Sequence, residues 1–209
     1  MKMFSVLVKP VVAGGLAFSL AAGGAPAALA ASESVVYVFE SKQPDGAGPY
    51  GALINVQGSL YGTTIYAGEG GPIGKCAQYY GCGTVFVLSP PAVAGKPWTE
   101  SMLYVFKGGD DGKFPLGALI MVGGSLYGAT FQGGARDFGT VFALAPPKIA
   151  GGSWTESLVY SFNGGSDGAN PHGSLINVGG TLYGTTHNGG ANHSGTVFAL
   201  APPTSAPAQ

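Results

Sequence analysis

Charge is scarce in this 209-residue chain: Asp, Glu, Lys and Arg make up 9% of it, nine basic against ten acidic residues, for a net charge of −1. Helices with solvated, charged outer faces are hard to build from that supply, and nothing after the N-terminus reads as helical. No basic cluster exists to track a phosphate backbone, which excludes nucleic acid as a partner. Cysteine is nearly absent, with two residues and no Cys-x-x-Cys, so neither metal nor redox work is indicated. Glycine (38) and proline (15) stand in place of charge, while 45% hydrophobic and 11% aromatic residues suffice to bury a core. That balance suits many short strands joined by tight turns.

Residues 1–30 carry Lys2 and Lys9, then an apolar, Ala- and Gly-rich run ending in Ala28-Leu29-Ala30. A basic start, a short apolar stretch and a small-x-small end predict a secretory signal peptide cleaved after Ala30. Its apolar part is short for a membrane span. Removal leaves seven basic residues against ten acidic ones, a net charge of −3. The mature chain is then expected to be secreted, periplasmic or extracellular, without a membrane span. In such an oxidising compartment Cys76 and Cys82, six residues apart, are expected to form a disulfide. The tail, 204–209, is polar and Pro-rich and offers no hydrophobic anchor.

Between these ends the chain repeats itself three times. Leu60-Tyr61-Gly62-Thr63-Thr64 leads to Gly83-Thr84-Val85-Phe86, Leu126-Tyr127-Gly128-Ala129-Thr130 to Gly139-Thr140-Val141-Phe142, and Leu182-Tyr183-Gly184 to Gly195-Thr196-Val197-Phe198. Gly83, Gly139 and Gly195 are spaced 56 and 56 apart, but Tyr61, Tyr127 and Tyr183 are spaced 66 and 56. The first copy therefore carries ten extra residues in the loop that holds both cysteines. Each unit reads as four strands, shown most fully by 156–162, 173–178, 181–186 and 195–200, giving twelve strands in units 33–91, 98–147 and 154–203 of one β domain, 31–203. Residues 56–59, 122–125 and 178–181 read as tight hairpin turns.

Alternation leaves both faces of these strands largely apolar: Tyr183 and Thr185 oppose Leu182, Gly184 and Thr186, while Val197 and Ala199 oppose Phe198 and Leu200. A strand without a polar face is covered on both sides, as in small sheets stacked face to face around an axis. The expected fold is all-β, three tandem four-stranded repeats forming β-propeller-like blades, with a threefold β-trefoil or β-prism as the alternative. The last unit lacks one outer strand and residues 33–39 are one to spare. They are expected to pair beside 195–200, in the same molecule or across a homodimer that completes a ring.

Leu-Tyr-Gly-Thr-Thr, Gly-Gly, Gly-Thr-Val-Phe-x-Leu, Pro-Pro, Trp-Thr-Glu-Ser and a Tyr-x-Phe strand leading to Asp-Gly, in fixed order over nearly all of 33–203, resemble the Gloeo/Verruco (GloVer) tandem repeat. The resemblance implies an exported bacterial repeat protein of the choice-of-anchor kind, and it brings no catalytic residues.

Chemistry-bearing residues weigh towards structure. Gly164-Gly165-Ser166-Asp167-Gly168 fits a nucleophile elbow in letters, but a turn leading to Pro171 replaces the helix such an elbow needs. Asp45, Asp111 and Asp167 each precede glycine in matching turns, too few carboxylates per loop for Ca²⁺ and well suited to capping the turn. His172, His187 and His193 lack a clear third zinc ligand. Trp98 and Trp154, with Tyr61, Tyr127, Tyr183, Phe86, Phe142 and Phe198, are expected to fill the space between sheets. No catalytic residue, metal or cofactor is expected. The function expected is a non-enzymatic binding or structural module of the cell envelope or extracellular space, engaging glycan or another envelope component, with a polysaccharide hydrolase or lyase as the alternative. Binding is expected in the Gly-rich loops 67–81, 132–138 and 187–194, through Tyr79, Tyr80, Arg136, Asp137, His187, Asn188, Asn192 and His193.

Overall fold

The computed structural model describes residues 32–41, 45–67 and 75–201. The expected signal peptide and its cleavage site, and the tail 204–209, lie outside the described residues. From Val35 onward the described residues form one compact unit. The compact unit is all-β, with three antiparallel sheets, no α-helix and no closed barrel among the described residues.

The first sheet contains β1 (Ala47–Pro49), β2 (Ile54–Val56), β3 (Ser59–Tyr66), β4 (Thr84–Ser89) and β5 (Thr99–Val105). β6 (Lys113–Pro115), β7 (Ile120–Val122), β8 (Ser125–Gln132), β9 (Thr140–Ala145) and β10 (Thr155–Ser161) form the second. The third has only β11 (Ala169–Pro171), β12 (Ile176–Val178), β13 (Thr181–Asn188) and β14 (Thr196–Leu200). Each sheet is a long central strand flanked on one side by two short strands end to end, and on the other by the Gly-Thr-Val-Phe strand. The Trp-Thr-Glu-Ser run of the next repeat adds the outermost strand, β5 on β4 and β10 on β9. Among the described residues no outer strand lies beside β14.

Fourteen strands are described where twelve were expected. The additional ones, β1, β6 and β11, are three residues long and end in Pro49, Pro115 and Pro171. Proline is tolerated there because each of these strands is a sheet edge. Residues 33–39, expected as a strand, form none: a strand needs a hydrogen-bonded neighbour, and none lies beside them. Instead Phe39 packs edge-on against Phe86, 5.1 Å between centroids.

The repeated motif has a packing reason. Gly62, Gly128 and Gly184 lie opposite Phe86, Phe142 and Phe198 in the central ladders. A Cβ on Gly128 would stand 2.6 Å from Phe142 Cζ and 3.0 Å from Leu119 Cδ2, so the aromatic ring occupies the space that glycine leaves. Two residues further along, Thr64 and Thr84, Thr130 and Thr140, and Thr186 and Thr196 join hydroxyl to hydroxyl at 2.6, 2.7 and 2.9 Å, which satisfies the polar atoms of an otherwise apolar strip. The hairpins Gln57-Gly58, Gly123-Gly124 and Gly179-Gly180 take positive φ at both central positions, the twist that matches two-residue connections.

The sheets stack face to face. Val85 of the first sheet packs with Phe142, Leu144, Leu126 and Leu119 of the second. Val141 and Ala129 on the back of the second pack with Leu175, Leu182 and Phe198 of the third. The covering of both faces expected from the pattern therefore holds for the second sheet, which lies between the other two, and fails at the back of the third. There the equivalent Val197 is 78% exposed, whereas Val85 and Val141 are fully buried. Gly51 abuts the Gly117 backbone, and Gly117 abuts that of Gly173, each approach too close for a side chain.

Cys76 and Cys82 form the expected disulfide and are buried in the cluster between the first two sheets. The ten-residue insertion is thereby fastened to the core, aided by Lys75 N–H donating to Lys107 O at 2.9 Å. Replacing both cysteines by serine should cost about 2 kcal/mol from loop entropy alone, and more because two hydroxyls would be buried in apolar surroundings. Chemical denaturation with and without reductant checks this, and the reduced wild type should approach the double variant.

Candidate binding surface at the sheet tips

The loops joining the central and Gly-Thr-Val-Phe strands are hydrogen-bonded to the Asp-Gly turns and to the short strands that follow those turns. Phe114 N–H donates to Cys82 O and Asn170 N–H to Phe138 O, both at 2.7 Å, while Gly134 N–H donates to Gly109 O and Gly190 N–H to Gly165 O. The tips are thus tied from unit to unit.

Between the first and second tips lies a groove of about 320 Å³, bounded by Ile65, Tyr66, Tyr79, Phe114, Phe131 and Gln132, with Leu116 at its base. Its aromatic rings meet edge to face: Phe114 with Tyr66 at 6.2 Å and with Tyr79 at 5.3 Å. Phe131 continues the row to His172, and His172 to Tyr50, at 6.0 and 5.9 Å. Phe114 is held at φ +60°, where a bulky side chain is unusual. Its counterpart in the third unit is Asn170, at φ +57°. The first unit has Gly48 at φ +68°. Placing an aromatic on that backbone costs of the order of 1–3 kcal/mol, a strain of the kind found at binding sites.

Of the residues singled out in the sequence, only Tyr79 lines this groove. Tyr80 is 60% exposed and ends the short 3₁₀ turn Ala77–Tyr79 in the left-handed conformation. Arg136 and Asp137 border a second, polar hollow of about 500 Å³ with Lys75, Asp110 and Lys113. Asp137 is paired with Lys113 at 2.9 Å and accepts from Gly133 N–H at 2.8 Å. It stands at φ +63° and His193 at φ +55°, matching positions that tolerate Asp and His for local hydrogen bonding. His187 contacts Asn188 at 3.2 Å, and Asn188 donates to Asn170 Oδ1. The carbonyl of Asn192 accepts from Ser194 Oγ. The eight residues are therefore distributed over three tips rather than gathered into one site.

Most of the groove comes from strand ends, which pattern reading assigned to packing. A signal was present: beside invariant Thr64, Thr130 and Thr186, the next two positions read Ile65-Tyr66, Phe131-Gln132 and His187-Asn188. None of these six side chains is buried, so each is free to differ from repeat to repeat.

The acidic groups have structural duties. Asp111 accepts from Tyr104 Oη, Lys107 N–H and Gly109 N–H, and Asp167 accepts from Tyr160 Oη, Asn163 N–H and Asn163 Nδ2. Burial opposes ionisation of Asp167, but these hydrogen bonds prevail and hold its carboxyl below the usual range. Asp45 accepts from Glu40 N–H at 2.6 Å. Glu100 and Glu156 are the contrast. Burial, then the neighbouring Asp45 and Asp111 respectively, push each carboxyl up to about 7, and one oxygen of each is buried without a partner. They recur at one position of β5 and β10, the outer strands of successive sheets, so the buried carboxyl is a repeated feature of the fold. Ser166 sits in the turn between β10 and β11, with no helix after it.

No curated protein and no solved structure matches the chain. The family model described as Gloeobacter/Verrucomicrobia repeat matches residues 73–207. That span is more than half of the sequence and contains the Gly–Phe ladders, the threonine pairs and the Asp turns of two complete copies. The chain belongs to the Gloeobacter/Verrucomicrobia repeat family.

Proposed function

We propose that this protein is an exported, non-enzymatic β-propeller-type module that binds carbohydrate of the cell envelope or its surroundings in the groove between the first two sheet tips. The aromatic row of Tyr66, Tyr79, Phe114 and Phe131 carries the reading. Sugar rings present C–H faces that stack on aromatic rings and hydroxyls that hydrogen-bond to groups such as Gln132 and the tyrosine hydroxyls. The groove is of ligand-site size, and the strained Phe114 supplies a ring where its sister unit has asparagine. Export is supported by the buried disulfide and by the N-terminal pattern; among the described residues no helix is long and apolar enough to cross a membrane. The propeller reading is supported by face-to-face stacking of four-stranded layers and by the Gly51, Gly117 and Gly173 column.

Glycan-array screening followed by calorimetry on the best polysaccharide tests this. Tyr79→Ala should weaken binding at least about tenfold, the usual effect of losing a central aromatic anchor. Phe114→Asn should do the same with the fold retained, because the third unit already carries asparagine on that backbone. Binding unchanged by both substitutions would refute the groove. Turnover of the polysaccharide, abolished by one acidic substitution, would establish a hydrolase or lyase instead.

A further inference from the structure

The two ends of the stack are complementary. At one end the back of the third sheet is bare: Ile176 and Val178 are each 58% exposed and Val197 78%, although the equivalent Val85 and Val141 are buried by the next sheet. Among the described residues β14 pairs only with β13, whereas β4 and β9 each have a second neighbour. Along that free edge runs a hollow of about 370 Å³ bordered by Tyr160, Phe162, Asp167 and β14. It lies where β5 and β10 lie in the other sheets.

At the other end a strand-like segment waits without a sheet. Tyr37-Val38-Phe39 matches Tyr104-Val105-Phe106 and Tyr160-Ser161-Phe162, and Glu33-Ser34 matches Glu100-Ser101 and Glu156-Ser157. Its geometry already agrees with theirs. Phe39 meets Phe86 at 5.1 Å, as Phe106 meets Phe142 and Phe162 meets Phe198. Tyr37 meets Phe39 at 5.1 Å, against 5.1 and 5.0 Å for the other two pairs. In those repeats this strand belongs to the preceding sheet, and its phenylalanine leans on the following one. Tyr37 and Phe39 thus hold the pose they would have in an outer strand whose own sheet is missing, while Val35 and Val38 are each 69% exposed.

We propose that a second copy of this chain supplies that sheet: residues 33–39 of each molecule add to β14 of the other, and the back of each third sheet stacks on the front of the partner's first sheet. Both internal interfaces are templates for the new one, so it is continuous with contacts the molecule already makes. Repeating the β9–β10 register sets Ser34 opposite the partner's Ala199, Val35 opposite the partner's Phe198 and Tyr37 opposite the partner's Val197, with Phe39 N–H donating to the partner's Gly195 carbonyl as Phe106 and Phe162 donate to Gly83 and Gly139. Glu33 then falls beside the partner's Asp167, as Glu156 falls beside Asp111. A head-to-tail contact generates a ring if it closes and a filament if it does not. Rings of this kind hold about 4–8 sheets, and two copies of the three described sheets make six. The inference rests on the propeller part of the function proposed above and not on carbohydrate binding.

Light scattering and native mass spectrometry of the purified protein without ligand should give twice the chain mass. Val197→Asp, at a position open to water in the single chain, should fold normally but associate at least about tenfold more weakly, since the charge would be buried at the contact. Ser34→Cys mixed with Ala199→Cys should yield a disulfide-linked dimer under oxidation, and Ser34→Cys mixed with Val197→Cys, out of register, should not. A monomeric wild type, a bond formed within one chain when Ser34→Cys and Ala199→Cys are combined in the same molecule, a filament, or preferential linkage of the out-of-register pair would each overturn the proposal. Carbohydrate binding measured on the same material separates the two readings: a monomer that still binds through Tyr79 and Phe114 refutes the ring alone.

Discussion

Gly128→Val should destabilise the protein by about 3 kcal/mol, and Gly184→Val, the same change one repeat later, by about 1 kcal/mol. Both glycines lie under the ring of the phenylalanine opposite, and a Cβ would stand 2.6 Å from Phe142 Cζ in one case and 2.5 Å from Phe198 Cζ in the other. The local clash is the same, and the surroundings set the cost. Phe142 is fully buried with Phe106 against it and Leu119 and Leu126 beside it, so the ring cannot move without displacing the contact between two sheets. Phe198 is only partly buried and lies in a strand with one free edge, which can shift outward. Urea denaturation of the two variants measures the difference. Equal losses would mean that the third sheet is as tightly enclosed as the second under the conditions used, which the ring of two copies would produce, so the comparison should be made at concentrations where the chain is monomeric.

Acidifying the protein from pH 8 to pH 5 should raise its stability. Glu100 and Glu156 are pushed by burial, then by Asp45 and Asp111, from the ordinary 4.5 up to about 7; for Glu156 the Lys107 charge opposes the rise. Between those two values the folded chain binds more protons than the unfolded one, so stability falls as pH rises through the window and levels off above about 7. Each glutamate contributes on the order of 1–3 kcal/mol, towards the lower end because both retain some contact with solvent. Glu100→Gln with Glu156→Gln should flatten the profile and raise the melting temperature at pH 8, since glutamine keeps the shape without the charge. At lower pH the trend reverses: Asp167 has a depressed carboxyl whose contribution is present above the usual carboxylate range and is lost as pH falls through its folded value. Melts from pH 3 to 9 check this. A wild-type profile without slope between pH 5 and 7, or a double variant that keeps the slope, would contradict it.

Much of the fold was legible because it is local. A Gly-Gly pair between apolar runs takes positive φ wherever it occurs, so the hairpin at Gly123-Gly124 could be read from two letters. Alternation told which residues of 181–186 share a face, and two cysteines in one loop left a single pairing. The candidate site was less legible. Tyr79 could be found as an aromatic in a loop, but Tyr66, Phe114 and Phe131 sit at strand ends, where period-two alternation does not distinguish a side chain that packs inside a sheet stack from one that protrudes beyond its rim. The short strands ending in Pro49, Pro115 and Pro171 were missed because three residues carry too little pattern, and their hydrogen bonds go to one half of a long strand already known to pair elsewhere.

By itself, then, the sequence determined the class of the fold, the repeat, its turns, its family and its disulfide, all of which depend on neighbours a few residues away or on recurrence. Only the tertiary structure decided which sheet each run joins, because a strand's face is encoded in its own letters while its partner depends on which edge is free. That is why β5 and β10 lie in the sheets before their own repeats, why residues 33–39 have the letters of a strand without being one, and why the valine buried at positions 85 and 141 is open to water at 197.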